Sequence, residues 1–357
     1  MLAKIFKSKT FRLTVTILTL LGAVSCCSDR SGGRKDQLAP SDHYNGETFF
    51  NPNLPATSLP KFRDAFRMIG DERAEWPKWV ENTSEPELPV QLGEQEIALT
   101  FVNHATFLIQ IGGINILTDP VWSKRASPVS WAGPARVRDP GIGLNDLPEI
   151  DIILISHNHY DHLDLETLKQ LNEKFSPKIF VPIGDYELVR SIGYTDIVEL
   201  DWWEAIEIRP GFVVTFTPAQ HQSNRGICDR QHSLWGSYMI TAGERKIYFG
   251  GDTGYSTHFK EINRRLGPLD LALLGIGSYE PEWFMRAIHM NPNEAVIAHR
   301  DLGAKQSVGM HFGTFQLSGE SIDQPLLDLE AVITSAGIPE GEFITLQEGE
   351  TQIYGRD

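Results

Sequence analysis

Residues 156 to 164 read Ser-His-Asn-His-Tyr-Asp-His-Leu-Asp, which puts His157, His159, Asp161 and His162 within six residues of one another. Imidazoles with a carboxylate form a donor set suited to zinc, and a site that also keeps a position for water is catalytic rather than structural. The plain alternative is a solvated histidine-rich loop. With 11 His in 357 residues, three so close together are improbable by chance. The mostly apolar run from Ile150 to Ile155 precedes the cluster and predicts a buried strand, so the donors sit on the loop that leaves it.

Donors on one loop need partners from other element ends, and three apolar runs supply them. Phe212 to Thr217 is followed by His221, Lys246 to Gly250 by Asp252, and Gln306 to Met310 by His311. Each residue alone has an ordinary reading, a surface or core histidine or a turn aspartate before glycine. Together with the first cluster they make seven candidate metal ligands. Further strand-like runs span Ile97 to Ile111, Ile114 to Thr118 and Ile179 to Val181, with a helix predicted over Leu165 to Leu171. This alternation favours α/β layers, and some 260 residues bury one sizeable core.

The order of these residues resembles the metallo-β-lactamase-fold superfamily, in which an H-x-H-x-D-H motif precedes single His, Asp and His ligands. The resemblance implies an α/β fold, an αββα sandwich of two facing mixed sheets with outer helices. It also implies two zinc ions per subunit: His157, His159 and His221 on one, Asp161, His162 and His311 on the other, and Asp252 bridging. Longer phrases go further, among them Asn103-His-Ala-Thr-Phe-Leu108, Leu117-Thr-Asp-Pro120, Glu199-Leu-Asp-Trp-Trp-Glu204 and Glu280-Pro-Glu-Trp-Phe-Met285. They are similar to the family of N-acylphosphatidylethanolamine-hydrolysing phospholipases D, over roughly residues 95 to 350. That likeness implies a zinc-dependent phosphodiesterase releasing N-acylethanolamine and phosphatidate by water activated between the two metals. In this reading Asp161 and Asp252 serve catalysis, His289 and Tyr160 protonate the leaving group or contact substrate, and Tyr279 and Trp283 bind substrate. His104, Thr106 and Asp119 orient ligands from behind. The partners implied are a phospholipid, a membrane surface and a second copy of the chain as a homodimer. A hydrolase of a soluble phosphodiester or lactone is the alternative.

The remaining chain supplies a setting. Residues 1–25 carry Lys4, Lys7, Lys9 and Arg12 and then an apolar stretch ending at Ser25-Cys26-Cys27, which reads as a signal peptide of lipoprotein type. Delivery to a bacterial cell envelope, anchored or secreted, is expected. Residues 26–60, rich in Ser, Gly, Asn, Asp and Pro, read as a disordered tether, residues 61–94 as an extension packed on the core through a short helix, and residues 95–357 as the catalytic domain. Formal charge is −15, a surface that repels polyanions and argues against nucleic acid. Arg125, Arg136 and Arg138 could meet phosphates at a membrane or make ordinary loop ion pairs. Apart from Cys26 and Cys27 at the leader boundary, Cys228 is the only cysteine, so no disulfide is expected within the mature domain.

Overall fold

The computed structural model describes residues 33–55, 73–89, 91–226 and 228–355. The expected leader and Cys26–Cys27 lie outside these residues, as do residues 61–72 of the extension expected to hold a short helix. Residues 73–89 carry no helix or strand and lie along the domain through backbone bonds from Ala74 to Gly319 and from Val80 to Val137. Among the described residues no helix is long and apolar enough to cross a membrane.

Two seven-stranded sheets carry the fold. The first is built from β1 (Ile97–Asn103), β2 (Thr106–Ile111), β3 (Ile114–Thr118), β4 (Ile152–Leu154), β5 (Lys178–Pro182) and β6 (Ile197–Leu200), in that order, with β14 (Thr351–Tyr354) outside β1. The second runs from β7 (Ala205–Arg209) through β8 (Phe212–Thr217), β9 (Ser237–Ala242), β10 (Arg245–Phe249), β11 (Leu269–Gly275) and β12 (Ala304–Met310) to β13 (Phe343–Ile344). The run expected as one strand from Ile97 to Ile111 breaks at His104, whose φ of +49° turns the chain between β1 and β2.

Alternation of side chains sorts the first sheet into two apolar layers. Leu99, Phe101, Ile109, Ile152 and Phe180 face the second sheet and meet Val214, Phe216, Ile240 and Phe249 in the central core. Val102, Leu108, Ile153, Ile179 and Val181 point outward and are covered by Leu168 and Leu171 of α1 (Leu165–Phe175) and by Leu188 and Val189 of α2 (Tyr186–Arg190). Strands clad on both faces explain why the predicted runs are nearly unbroken in apolar residues. Asp164 caps α1 by accepting from the Glu166 and Thr167 amides, which ends the ligand loop at a fixed point. The second sheet is covered by α3 (His258–Leu266), α5 (Pro292–Leu302) and α6 (Gln324–Ala336), with the short α4 (Glu282–Met285) between.

Strand direction places the site. The ladders β3-β4-β5-β6 and β10-β11-β12-β13 are parallel, and β9 is antiparallel to both β8 and β10. Strands β8, β10 and β12 therefore run the same way, and the residues that follow them emerge together at one edge of the sandwich.

Two expectations are corrected here, and one open choice is narrowed. Residues 33–55, inside the stretch read as a tether, form a strap along the second sheet with Tyr44 and Phe49 buried and the Phe49 amide donating to Gln231. Its polar residues make turns rather than disorder: Asn45 Oδ1 accepts from the Glu47 and Thr48 amides. Of the three arginines left between phosphate contact and loop bonding, Arg136 is buried and donates to the Ser123 and Val121 carbonyls, Arg138 pairs with Glu348, and Arg125 donates to the Gly133 carbonyl from the rim of a groove. Cys228, for which no disulfide was expected, is disulfide-bonded.

Because Phe49 is fully buried, Phe49→Ala should lower the unfolding free energy by about 3–5 kcal/mol in chemical denaturation. A change under about 0.5 kcal/mol, as for an exposed position, would restore the tether.

Candidate metal centre

The seven residues singled out by sequence, with His104, come together in two adjoining clusters. His157, His159, His221 and Asp252 form one, and His104, Asp161, His162 and His311 the other, with donor atoms in each within 4.8 Å of one another. Asp252 touches both: its carboxylate lies 3.1 Å from His162 Nε2 and 3.2 Å from His311 Nε2, and 3.8 Å from His221 Nε2. Asp161 Oδ2 stands 3.3 Å from His162 Nε2 and 3.4 Å from His311 Nε2. His104, expected behind the ligands, faces the same oxygen at 3.0 Å.

Groups behind the clusters set the ring orientations. Asp119 is fully buried; it accepts from the Ser156 amide and hydroxyl and from His162 Nδ1 at 2.6 Å. With its own proton given to Asp119, Ser156 Oγ accepts from His157 Nδ1 at 2.9 Å. Thr106 Oγ1 donates to the Asp119 carbonyl and accepts from Val121 N, and His221 Nδ1 donates to the Ile288 carbonyl at 2.9 Å. Three imidazoles thus have their Nδ1 protons engaged outside the site, which leaves Nε2 lone pairs directed inward.

The residues present fit metal. His162 Nε2, His311 Nε2 and Asp252 Oδ1 are buried without a hydrogen-bond partner, and His157 Nε2 and His221 Nε2 approach His159 Nδ1 at 2.9 and 3.2 Å. Inward lone pairs at such separations call for a cation between them. Burial holds His157 and His221 well below the usual imidazole range, so both are neutral donors. Imidazole and carboxylate donors around a shared carboxylate match a pair of divalent cations.

The expected accessory residues divide. His289 Nδ1 is 3.8 Å from Asp252 Oδ2, and its ring stands 5.2 Å from those of His221 and His311. Tyr160 donates its hydroxyl to the Arg225 carbonyl at 3.1 Å and lies under the Arg225 guanidinium, so that proton is already engaged away from the clusters. Tyr279, expected at the substrate, is buried and donates to Asp328 on α6. Trp283, on α4, is 47% exposed and lines a separate depression with Arg286 and Tyr255.

Sequence reasoning missed residues that carry no ligand signature. Asp185 accepts from Asn158 Nδ2 and Ser233 Oγ, and Arg225 Nη1 donates to the Asn158 and Leu163 carbonyls. Both brace the ligand loop from outside it. Alongside the loop runs a groove of about 890 Å³ into which Tyr160, Trp122, Leu188 and Arg225 project.

Comparison with known proteins agrees with this geometry. Residues 114–312 match the family model described as a beta-lactamase superfamily domain. The chain is 38% identical over 270 residues to the N-acyl-phosphatidylethanolamine-hydrolyzing phospholipase D 1 of Caenorhabditis elegans, covering 72% of this chain and 76% of that protein. A metallo hydrolase of the archaeon Ignicoccus hospitalis superposes with a TM-score of 0.56 at 22% identity, over 74% of this chain and all of the other. A diiron β-hydroxylase of Streptomyces venezuelae, 22% identical, gives 0.54 over 73% of this chain and 54% of its own.

Burial pushes the Asp185 carboxyl up to about 7, from an ordinary value near 3.9. A carboxyl raised on folding favours the folded state most below its unfolded pKa and loses that contribution as pH rises through the folded one. Urea unfolding at pH 5 and pH 8 should therefore show a larger loss of stability at pH 8 in the unmutated protein than in Asp185→Asn; equal losses would refute the assignment.

Proposed function

The chain belongs to the beta-lactamase superfamily of metal-dependent hydrolases, and we propose that it is a phospholipase D-type phosphodiesterase acting on N-acylphosphatidylethanolamine-like lipids with two zinc ions per subunit. The observation that carries this reading is the groove beside the ligand loop. Trp122, Val129, Leu144 and Leu188 give it apolar walls, and Lys124 and Arg125 stand at the same groove, a lining that suits an amphiphile with acyl chains and a phosphate. Trp131, 76% exposed, lies next to the groove residues Val129 and Ser130. An exposed tryptophan near cationic side chains fits contact with a membrane surface. The likeness to the Caenorhabditis elegans phospholipase D supports the choice of lipid, and the leader of residues 1–25 supports placement at a bacterial envelope.

His157, His159 and His221 would hold one metal and Asp161, His162 and His311 the other, with Asp252 shared. When bound, the metal pair supplies an acidified water at neutral pH and positive charge for the phosphoryl oxygens. Asp119 and Ser156 keep the proton of His162 and of His157 on Nδ1, so both rings stay fixed as donors through turnover. Hydrolysis joins the oxygen of water to phosphorus, breaks the bond to the ethanolamine oxygen and returns a proton to that oxygen. His289, beside Asp252 and with Tyr160 otherwise engaged, is placed to hydrogen-bond the departing oxygen. The groove walls bind the acyl chains and exclude water around the phosphate.

Mass-spectrometric analysis of the full chain with N-acylphosphatidylethanolamine micelles should show N-acylethanolamine and phosphatidate. A chelator should abolish release, zinc should restore it, and Asp252→Asn should show none. Turnover confined to water-soluble phosphodiesters or lactones would overturn the lipid reading. Within the groove, Val129→Asp should lower kcat/KM for long-chain lipids about tenfold or more, since a charge in an apolar wall is costly to bury, and leave a short water-soluble phosphodiester unaffected. Equal losses on both substrates would show that the groove does not hold the chains.

A further inference from the structure

The strap of residues 33–55 reaches the metal centre through one side chain. Asn51 is 5% exposed. Its Nδ2 donates to the His221 carbonyl at 2.8 Å, and its Oδ1 accepts from the His221 amide at 3.2 Å. One primary amide thereby satisfies both backbone groups of one residue, as a neighbouring strand would. His221 has no such neighbour, since it lies in the connection between β8 and β9. The same Oδ1 accepts from Trp235 Nε1 at 3.2 Å, which fixes the amide orientation against a fully buried indole.

We propose that Asn51 is a positioning residue for the His221 imidazole, and that the docked strap is thereby part of the metal centre, setting metal retention at the His157, His159 and His221 cluster. With the backbone held by Asn51 and Nδ1 held by the Ile288 carbonyl, the ring has one direction left for Nε2, toward His159. Other side chains do not substitute. Aspartate lacks the donor for the His221 carbonyl, and glutamine adds a methylene in a buried space.

The strap is anchored on both sides of this contact, so the amide is delivered rather than sampled. Upstream, His43 lies between Asp42 and Asp201 at 2.7 Å from each, with its ring stacked on Trp202 at 4.4 Å, and the Arg34 guanidinium grips Glu204. Downstream, Asn53 Nδ2 donates to Thr257 Oγ1 at 3.2 Å. None of these touches a candidate ligand, which leaves Asn51 as the link.

The inference rests on the metal-centre reading, and the test separates the two. The full chain, Asn51→Ala, Asn51→Asp and the strap control Asn53→Ala are each titrated with zinc alone against a competing chromophoric chelator, and each metal-free form is melted. The expected result is two zinc ions in the unmutated protein, with one of the two bound about 10- to 100-fold more weakly in Asn51→Ala, the range for residues that orient a ligand. The second ion should be unchanged, Asn53→Ala should match the unmutated protein, and Asn51→Asp, which keeps the acceptor, should fall between. If Asn51→Ala does not fold, Asn51→Asp carries the same site-selective expectation. Two unchanged affinities would overturn the proposal, and so would equal weakening of both ions in step with a lower melting temperature, the mark of a general brace. No zinc uptake by the unmutated protein would overturn it together with the metal reading.

Discussion

Six imidazoles and two carboxylates share a space from which water is almost excluded, and that crowding governs the rest of the molecule. Asp161 and Asp252 each have several ring nitrogens within 4 Å. Charges so deeply placed persist only when paired or bound to metal. The arrangement cannot relax freely by spreading, because His162, His157 and His221 are pinned from behind by Asp119, Ser156 and the Ile288 carbonyl. Metal binding is consequently coupled to the stability of the fold as well as to its chemistry. The two sheets serve this end: strands held in ladders on both sides give the rigid carboxyl ends that hold the ligand residues in place.

The clustering of these residues was legible because metal binding imposes short-range spacing and because a strand end advertises itself by an apolar run. His157 to His162 show the first signal; His221, Asp252 and His311 show the second. Asn51, Asp185 and Arg225 show neither. Their work is done by an amide, a carboxylate and a guanidinium against partners up to 170 residues away, and no local pattern marks such a contact. Composition misled at the strap for a related reason. Ser, Gly, Asn and Pro are as suited to tight turns on a surface as to disorder, and two aromatic anchors, Tyr44 and Phe49, were too few to register as an apolar face. Tyr279 and Trp283 were placed by resemblance in motif rather than by geometry, and their side chains answer to Asp328 and to an outer depression instead.

Ligand loop and groove are mechanically one piece. Asp164 ends the loop, caps α1 and accepts from the amide and hydroxyl of Ser123, which begins the segment lining the groove. Arg225 lies over Tyr160 and at the same time holds the loop carbonyls of Asn158 and Leu163. The groove and the clustered histidines are thus braced by the same two side chains, Asp164 and Arg225.

The strap has a second effect at the opposite rim of the sheets. Strands β6 and β7 are the outermost on their sheets and are joined by Asp201 to Glu204, so one side of the sandwich ends in two open ladders. Arg34 donates its guanidinium to the Glu199 carbonyl on β6 and its backbone amide to the Glu199 carboxylate, and His43 covers Trp202 beside it. Exposed ladders recruit strands from other chains; here a short polar segment of the same chain takes up the Glu199 carbonyl of β6 at that border.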